Sequence, residues 1–186
     1  MAGPPAQAIL PSFHPSHGRI WDGLVTLGFG LALFGPGLGL HEALHLAVLH
    51  GLGGDGALIV RPWRFALVDL TLPSLHVQPV PPLDSGRQLA VNFLGPALAA
   101  AALTLALIPV RDRRLRLAAM ANVAVLGFYA LIEVADLVTD SIPNPATAAL
   151  ITPEFNYGVP LATFLAVAFL GAAARQGPYT GQIRRD

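Results

Sequence analysis

The sequence predicts an all-α membrane protein of about four transmembrane helices, with a β-hairpin inserted between the first and the second. Three observations lead there. Hydrophobic residues make up 54% of the 186 and charged residues 12%, about half the charged share of a soluble domain. Apolar stretches long enough to cross ~30 Å of hydrocarbon recur along the chain. The one long segment between them that cannot cross is broken by glycines and prolines and carries β-prone runs.

Mean hydropathy is +0.59, and the length suits one domain. With no cysteine, disulfides, thiolate ligands and cysteine nucleophiles are excluded. A net charge of zero gives nothing for nucleic acid to bind. The domain is expected over residues 21–176, flanked by an N-terminal tail, 1–20, and a C-terminal tail, 177–186. The N-terminal tail is rich in Pro and has no basic residue before Arg19, so it does not read as a secretory signal peptide. Its His14-Pro-Ser-His17 reads as mobile tail in preference to a second metal site.

The first membrane helix is expected over 22–48, kinked at Gly35-Pro36-Gly37. Near its end stands His41-Glu42-Ala43-Leu44-His45. Four positions are just over one helical turn, so both imidazoles project from one face at the spacing that grips one tetrahedral Zn²⁺. Glu42, beside the first ligand, is placed to take a proton from a metal-bound water. No ionisable residue lies between Leu24 and Leu40, so these three polar groups end an apolar helix, where their cost points to function. The competing reading is a polar patch at headgroup level. His50 is turned away from the pair and reads as an interfacial residue.

Residues 51–86 hold the hairpin and a Pro-rich loop. The runs Ala57–Arg61 and Phe65–Leu72 are its expected arms, turning at Pro62-Trp63-Arg64, with Trp63 as an interface anchor. Its open edge either binds an extended peptide by strand addition or is merely structural. His76 and Asp84 fall in the loop. The second membrane helix, 88–109, carries Asn92 and Gly95-Pro96. Asn92 either donates to substrate or a tetrahedral intermediate, or ties two helices together.

A basic loop, Arg111 to Arg116, leads into the third membrane helix, 117–139. At its end Glu133, Asp136 and Asp140 share one face. Carboxylates in an apolar helix need partners, and a metal provides one. Two crossings after His45, this helix end returns to the side of the His pair, which brings Asp136 to the depth of His41 and His45. Two His and one carboxylate leave a fourth position open, as catalytic zinc requires. A loop over 141–156 precedes a fourth helix at 157–174. Arg19, the four arginines of the loop, Arg175, Arg184 and Arg185 lie on one side, against Arg61, Arg64 and Arg87 on the other. By the positive-inside rule both termini are cytoplasmic.

These residues resemble the site-2-protease family of membrane-embedded zinc metallopeptidases, especially its small bacterial branch. The likeness runs through His41-Glu42-Ala-Leu-His45, the Gly-rich break and hairpin, Phe93-Leu-Gly95-Pro96-Ala-Leu, and Ile132-Glu-Val-Ala-Asp136-Leu, over roughly residues 35–140. The resemblance implies one zinc per chain held by His41, His45 and Asp136, with Glu42 as the catalytic acid/base. It also implies membrane-anchored protein or peptide substrates cleaved in or near the bilayer. The family's usual third-ligand element is Leu-Asp-Gly, and no Gly follows Asp136. Pro82-Leu83-Asp84-Ser85-Gly86 is closer to that element but precedes the Gly-Pro helix, so Asp84 is the alternative third ligand. Glu133 and Asp140 also stay open, Glu133 alternatively as a group supporting the ligands.

Three rival classes stand beside the peptidase: a metal-binding membrane protein without turnover, a transporter or scaffold without metal, and a di-iron desaturase. The last needs several His-rich boxes, and only one His pair of this spacing sits at a helix end.

Overall fold

The computed structural model describes residues 17–61, 64–66, 69–71, 74–141, 145 and 152–173. His14, the anchor assigned to Trp63 and the C-terminal tail lie outside them. The described elements are α1 (His17–Gly51), β1 (Gly56–Arg61), β2 (Arg64–Ala66), β3 (Asp69–Thr71), β4 (Ser74–Pro79), α2 (Ser85–Ala106), α3 (Arg113–Ser141) and α4 (Pro153–Ala173). Three helices are long and apolar enough to cross a membrane, over Gly18–Gly51, Ser85–Ala106 and Arg113–Thr139. The apolar part of α4, Tyr157–Ala173, is shorter, about 26 Å at 1.5 Å per residue.

The helices pack through small residues and a few aromatic contacts. Ala121 and Val125 of α3 meet Phe164 of α4 in the core, and Phe34 of α1 stands edge-on to Phe164 with ring centroids 5.7 Å apart. Large apolar side chains such as Leu31, Leu105, Leu131 and Phe169 are left on the outside. A protein in water rarely shows so much apolar surface, but hydrocarbon covers it without cost. Two polar ties register α1 against α3. Buried Asn122 donates through Nδ2 to the Gly30 carbonyl at 3.1 Å, and Arg114 reaches Asp22 at 3.6 Å. At the start of α3, Asp112 accepts from the backbone N–H groups of Arg114 and Leu115 at 2.8 and 3.1 Å, satisfying donors that an open helix end would waste.

The first helix stops where the sequence breaks. Gly53 takes the positive φ of 74° that a side chain disfavours, and the Gly54 N–H closes back on the Leu49 carbonyl at 3.0 Å. The hairpin then differs from its expected form. β1 pairs with β4, from Gly56 opposite Pro79 to Arg61 opposite Ser74. Arg64 to Ala66 pairs with Asp69 to Thr71. The residue three beyond Arg61 therefore meets the residue three before Ser74, and one register runs through both ladders. Arg64, expected in the turn, instead pairs in β2 opposite Thr71, and Pro62 and Trp63 lie outside the described residues. The run 65–72 folds back on itself, because residues 67 and 68 alone connect Ala66 to Asp69. His76, expected in a loop, belongs to β4 opposite Ile59. β4 packs along α1, which sets the hairpin beside the His pair.

Candidate metal centre

The two imidazoles arrive on one face of α1, as the four-residue spacing requires. His41 and His45 are buried, 3% and 5% exposed, with their Nε2 atoms 2.6 Å apart. The carboxylate that meets them comes from α3 and belongs to Glu133. Its Oε1 lies 2.8 Å from His41 Nε2 and its Oε2 lies 3.0 Å from His45 Nε2. Among the described residues, His41, His45 and Glu133 form one group whose ligand atoms all lie within 4.8 Å of one another.

The other carboxylates considered from the sequence stand elsewhere. Asp136, placed first by the crossing count and by the resemblance, is exposed and outside this group. Asp84 caps α2, accepting from the Arg87 N–H at 3.0 Å and pairing with the Arg87 guanidinium at 3.3 Å. Asp140 is on α3, but its side chain is outside the described residues. His50 lies 3.6 Å from Asp55 in an exposed pair.

Each of the three side chains is held by a neighbouring helix. His45 Nδ1 is 2.8 Å from the Val91 carbonyl of α2. A carbonyl only accepts, so Nδ1 carries the proton and Nε2 keeps its lone pair for the site. Gly95, one turn on from Val91, leaves room for the His45 ring against α2. His41 lies nearly parallel to the Tyr129 ring, 15° between planes and 6.0 Å between centroids. Tyr129 comes one turn before Glu133, so α3 supplies both. Glu133 is fixed in turn by α2: the Gln88 amide donates to Asn92 Oδ1 at 2.6 Å, and Asn92 Nδ2 donates to the Glu133 carbonyl at 3.1 Å. Of the two roles open to Asn92, the helix tie is the one these bonds serve.

The donor set fits a cation. With the His45 proton committed to Val91, its Nε2 and both Glu133 oxygens are electron-pair donors. His45 Nε2 lies 3.0 Å from Glu133 Oε2, and the only proton left to share is that of His41, whose Nε2 lies 2.8 Å from Glu133 Oε1 and 2.6 Å from His45 Nε2. A divalent ion between them removes that repulsion, and two imidazole nitrogens with one carboxylate are zinc's donor types with a fourth position left over. His41 Nδ1 is buried without a hydrogen-bond partner, 3.9 Å from Glu42 Oε1. The Glu42 side chain is buried near both His and Glu133, and its carboxylate faces the Val77 N–H of β4.

Val91, Gln88 and Tyr129 are neighbours of the group that sequence reasoning did not pick out, and Gly95, noted there with Pro96, was not linked to His45. Gly95 carried a signal, as a glycine in mid-helix, and Tyr129 shares a face with Glu133. A carbonyl acceptor such as that of Val91 carries none. Set against known proteins, the chain matches no family model, no curated protein and no solved structure.

Proposed function

We propose that the chain is a membrane-embedded zinc metallopeptidase of the site-2-protease kind, hydrolysing peptide bonds of membrane-anchored substrates. One observation carries the reading: a carboxylate from α3 closes on the His pair of α1, with a second acid, Glu42, buried beside them. His41, His45 and Glu133 hold the ion. When bound, zinc supplies Lewis acidity, which makes water a nucleophile near neutral pH and draws off carbonyl charge.

The rest is the work of the chain's own residues. Glu42 accepts the proton of the attacking water and returns it to the leaving amine, so the base becomes the acid within one turnover. The Val91 carbonyl and Gly95 keep the His45 ring aimed at the ion. The Gln88–Asn92 pair holds the Glu133 backbone in place. Val77 stands opposite Leu58, and the Val80 N–H bonds the Asp55 carbonyl at 2.8 Å, so alternation turns the Val77 N–H away from β1. That edge of β4, beside Glu42, suits a substrate in extended form, as a peptide bond must be to escape its own helix.

The test is zinc content and cleavage measured together on the purified full chain. The expected result is one zinc per chain in wild type and in Glu42→Gln, with cleavage of a membrane-anchored peptide reduced about 10²- to 10⁴-fold in the variant. Zinc without wild-type cleavage leaves a metal-binding protein and overturns the peptidase. No zinc overturns both.

A further inference from the structure

At the end of the bundle away from the His pair, α1 and α4 run antiparallel and leave a groove of about 390 Å³ between them. Gly23 and Leu27 of α1 and Leu165, Ala168 and Ala172 of α4 line it, and the side chains are apolar throughout except for Arg19 at the end where α1 begins. Small residues make its floor, and half-exposed leucines make its walls, with Leu24 at 54% and Leu165 at 50%. In a membrane any such face meets hydrocarbon, but this one also has a cation at one end only.

We propose that this groove holds one anionic phospholipid, an acyl chain lying along Gly23 to Leu27 and the phosphate on Arg19. The pattern of charge selects this occupant. A second copy of the chain would set Arg19 against another apolar wall or another Arg19. A zwitterionic lipid would leave the guanidinium beside a compensating ammonium. Among the described residues Arg19 has no carboxylate partner, whereas Arg114 at the same end is taken up by Asp22 and Asp112. Exposed Arg111 in the loop and Arg113 at the start of α3 extend the same positive field at the surface, which concentrates anionic headgroups there. The inference needs the chain to sit in a bilayer but is independent of the peptidase reading.

Native mass spectrometry of the full chain, released from nanodiscs of phosphatidylcholine doped with phosphatidylglycerol, tests it. The expected result is one phosphatidylglycerol retained per chain in preference to phosphatidylcholine by about fivefold, the factor one Arg near an anionic surface supplies. Arg19→Gln removes the preference. Ala172→Phe, which fills the groove, removes the retained lipid. Arg111→Gln, at the same end but outside the groove, changes neither. Far-ultraviolet circular dichroism of each variant reports that the bundle is intact, and a variant that has lost helix is replaced by Ala168→Leu or Arg19→Ala. Equal retention of the two lipids overturns the proposal, and so does a preference that survives Arg19→Gln. A dimer abolished by Ala172→Phe also overturns it, as does lipid bound only after residues 174–186 are removed. These last results assign the groove to a second copy or to the chain's own C-terminal segment.

Discussion

Gly95 lies directly against the His45 imidazole: a Cβ built on it would stand 2.6 Å from both Cε1 and Cγ of the ring. The ring cannot retreat without leaving the Val91 carbonyl, so helix α2 tolerates no side chain here. Gly95→Ala is expected to weaken zinc binding about 10- to 100-fold, the range for losing a group that orients a ligand. A competitive chelator titration measures it, and unchanged affinity would show that the His45 seat is not needed.

The assignment of the third donor separates two acids one turn apart. Glu133→Gln is expected to reduce zinc affinity by more than the about 10- to 100-fold that a supporting residue is worth, while Asp136→Asn leaves it unaltered. Cobalt substitution gives a second readout, since the visible spectrum reports the number of donors. The opposite pattern returns the ligand to Asp136.

Asn122 joins the middle of α3 to α1 through Gly30 and also donates to the Ala118 carbonyl at 2.9 Å. Asn122→Leu keeps the volume and removes the bond between helices. The expected loss is about 0.6 to 1.7 kcal/mol, the span for side-chain hydrogen bonds between membrane helices, read from unfolding in mixed micelles. A gain in stability would mean that packing, not the amide, holds these helices together.

The exposed cap of α3 titrates. The Leu115 N–H, then the Arg114 side chain and backbone, hold the Asp112 carboxyl below its usual value of 3.8. A lowered folded-state value places the cap's contribution above pH 3.8 and removes it as pH falls through the folded value. Amide exchange at Arg114 and Leu115, corrected for intrinsic rates, is expected to quicken over that descent. Asp112→Asn, which caps without ionising, is expected to flatten the dependence, and a variant that still quickens would place the titration elsewhere.

Much of this architecture is legible before any coordinates. The helix bounds sit within five residues of where apolar length and breakers put them, because burial against hydrocarbon dominates their placement. Helix starts are less legible. Asp84-Ser85-Gly86 reads as loop, yet Asp84 is the residue that caps α2. The hairpin's existence follows from its β-prone runs, but its pairing does not. Pro62 and Pro73 resemble turn signals, and one ladder resumes beyond both. The metal pair is visible because both ligands share one helix. The third donor is not, since Glu133, Asp136 and Asp140 share a face and periodicity ranks none above another. How far α3 slides along α1 decides among them, and that is set by contacts such as Asn122 with Gly30, far from the acids in sequence.

One asymmetry of the centre has a practical result. The side chains of His41, Glu42 and His45 are 4%, 8% and 6% open, and that of Glu133 is 27% open. Among the described residues, the open side of this group lies at Glu133, on the flank of α3, so an ion held there would be reached past that acid. Slender chelators should strip the ion sooner than bulky ones of equal strength, and an inhibitor would need a narrow zinc-binding head on a stem that clears Glu133.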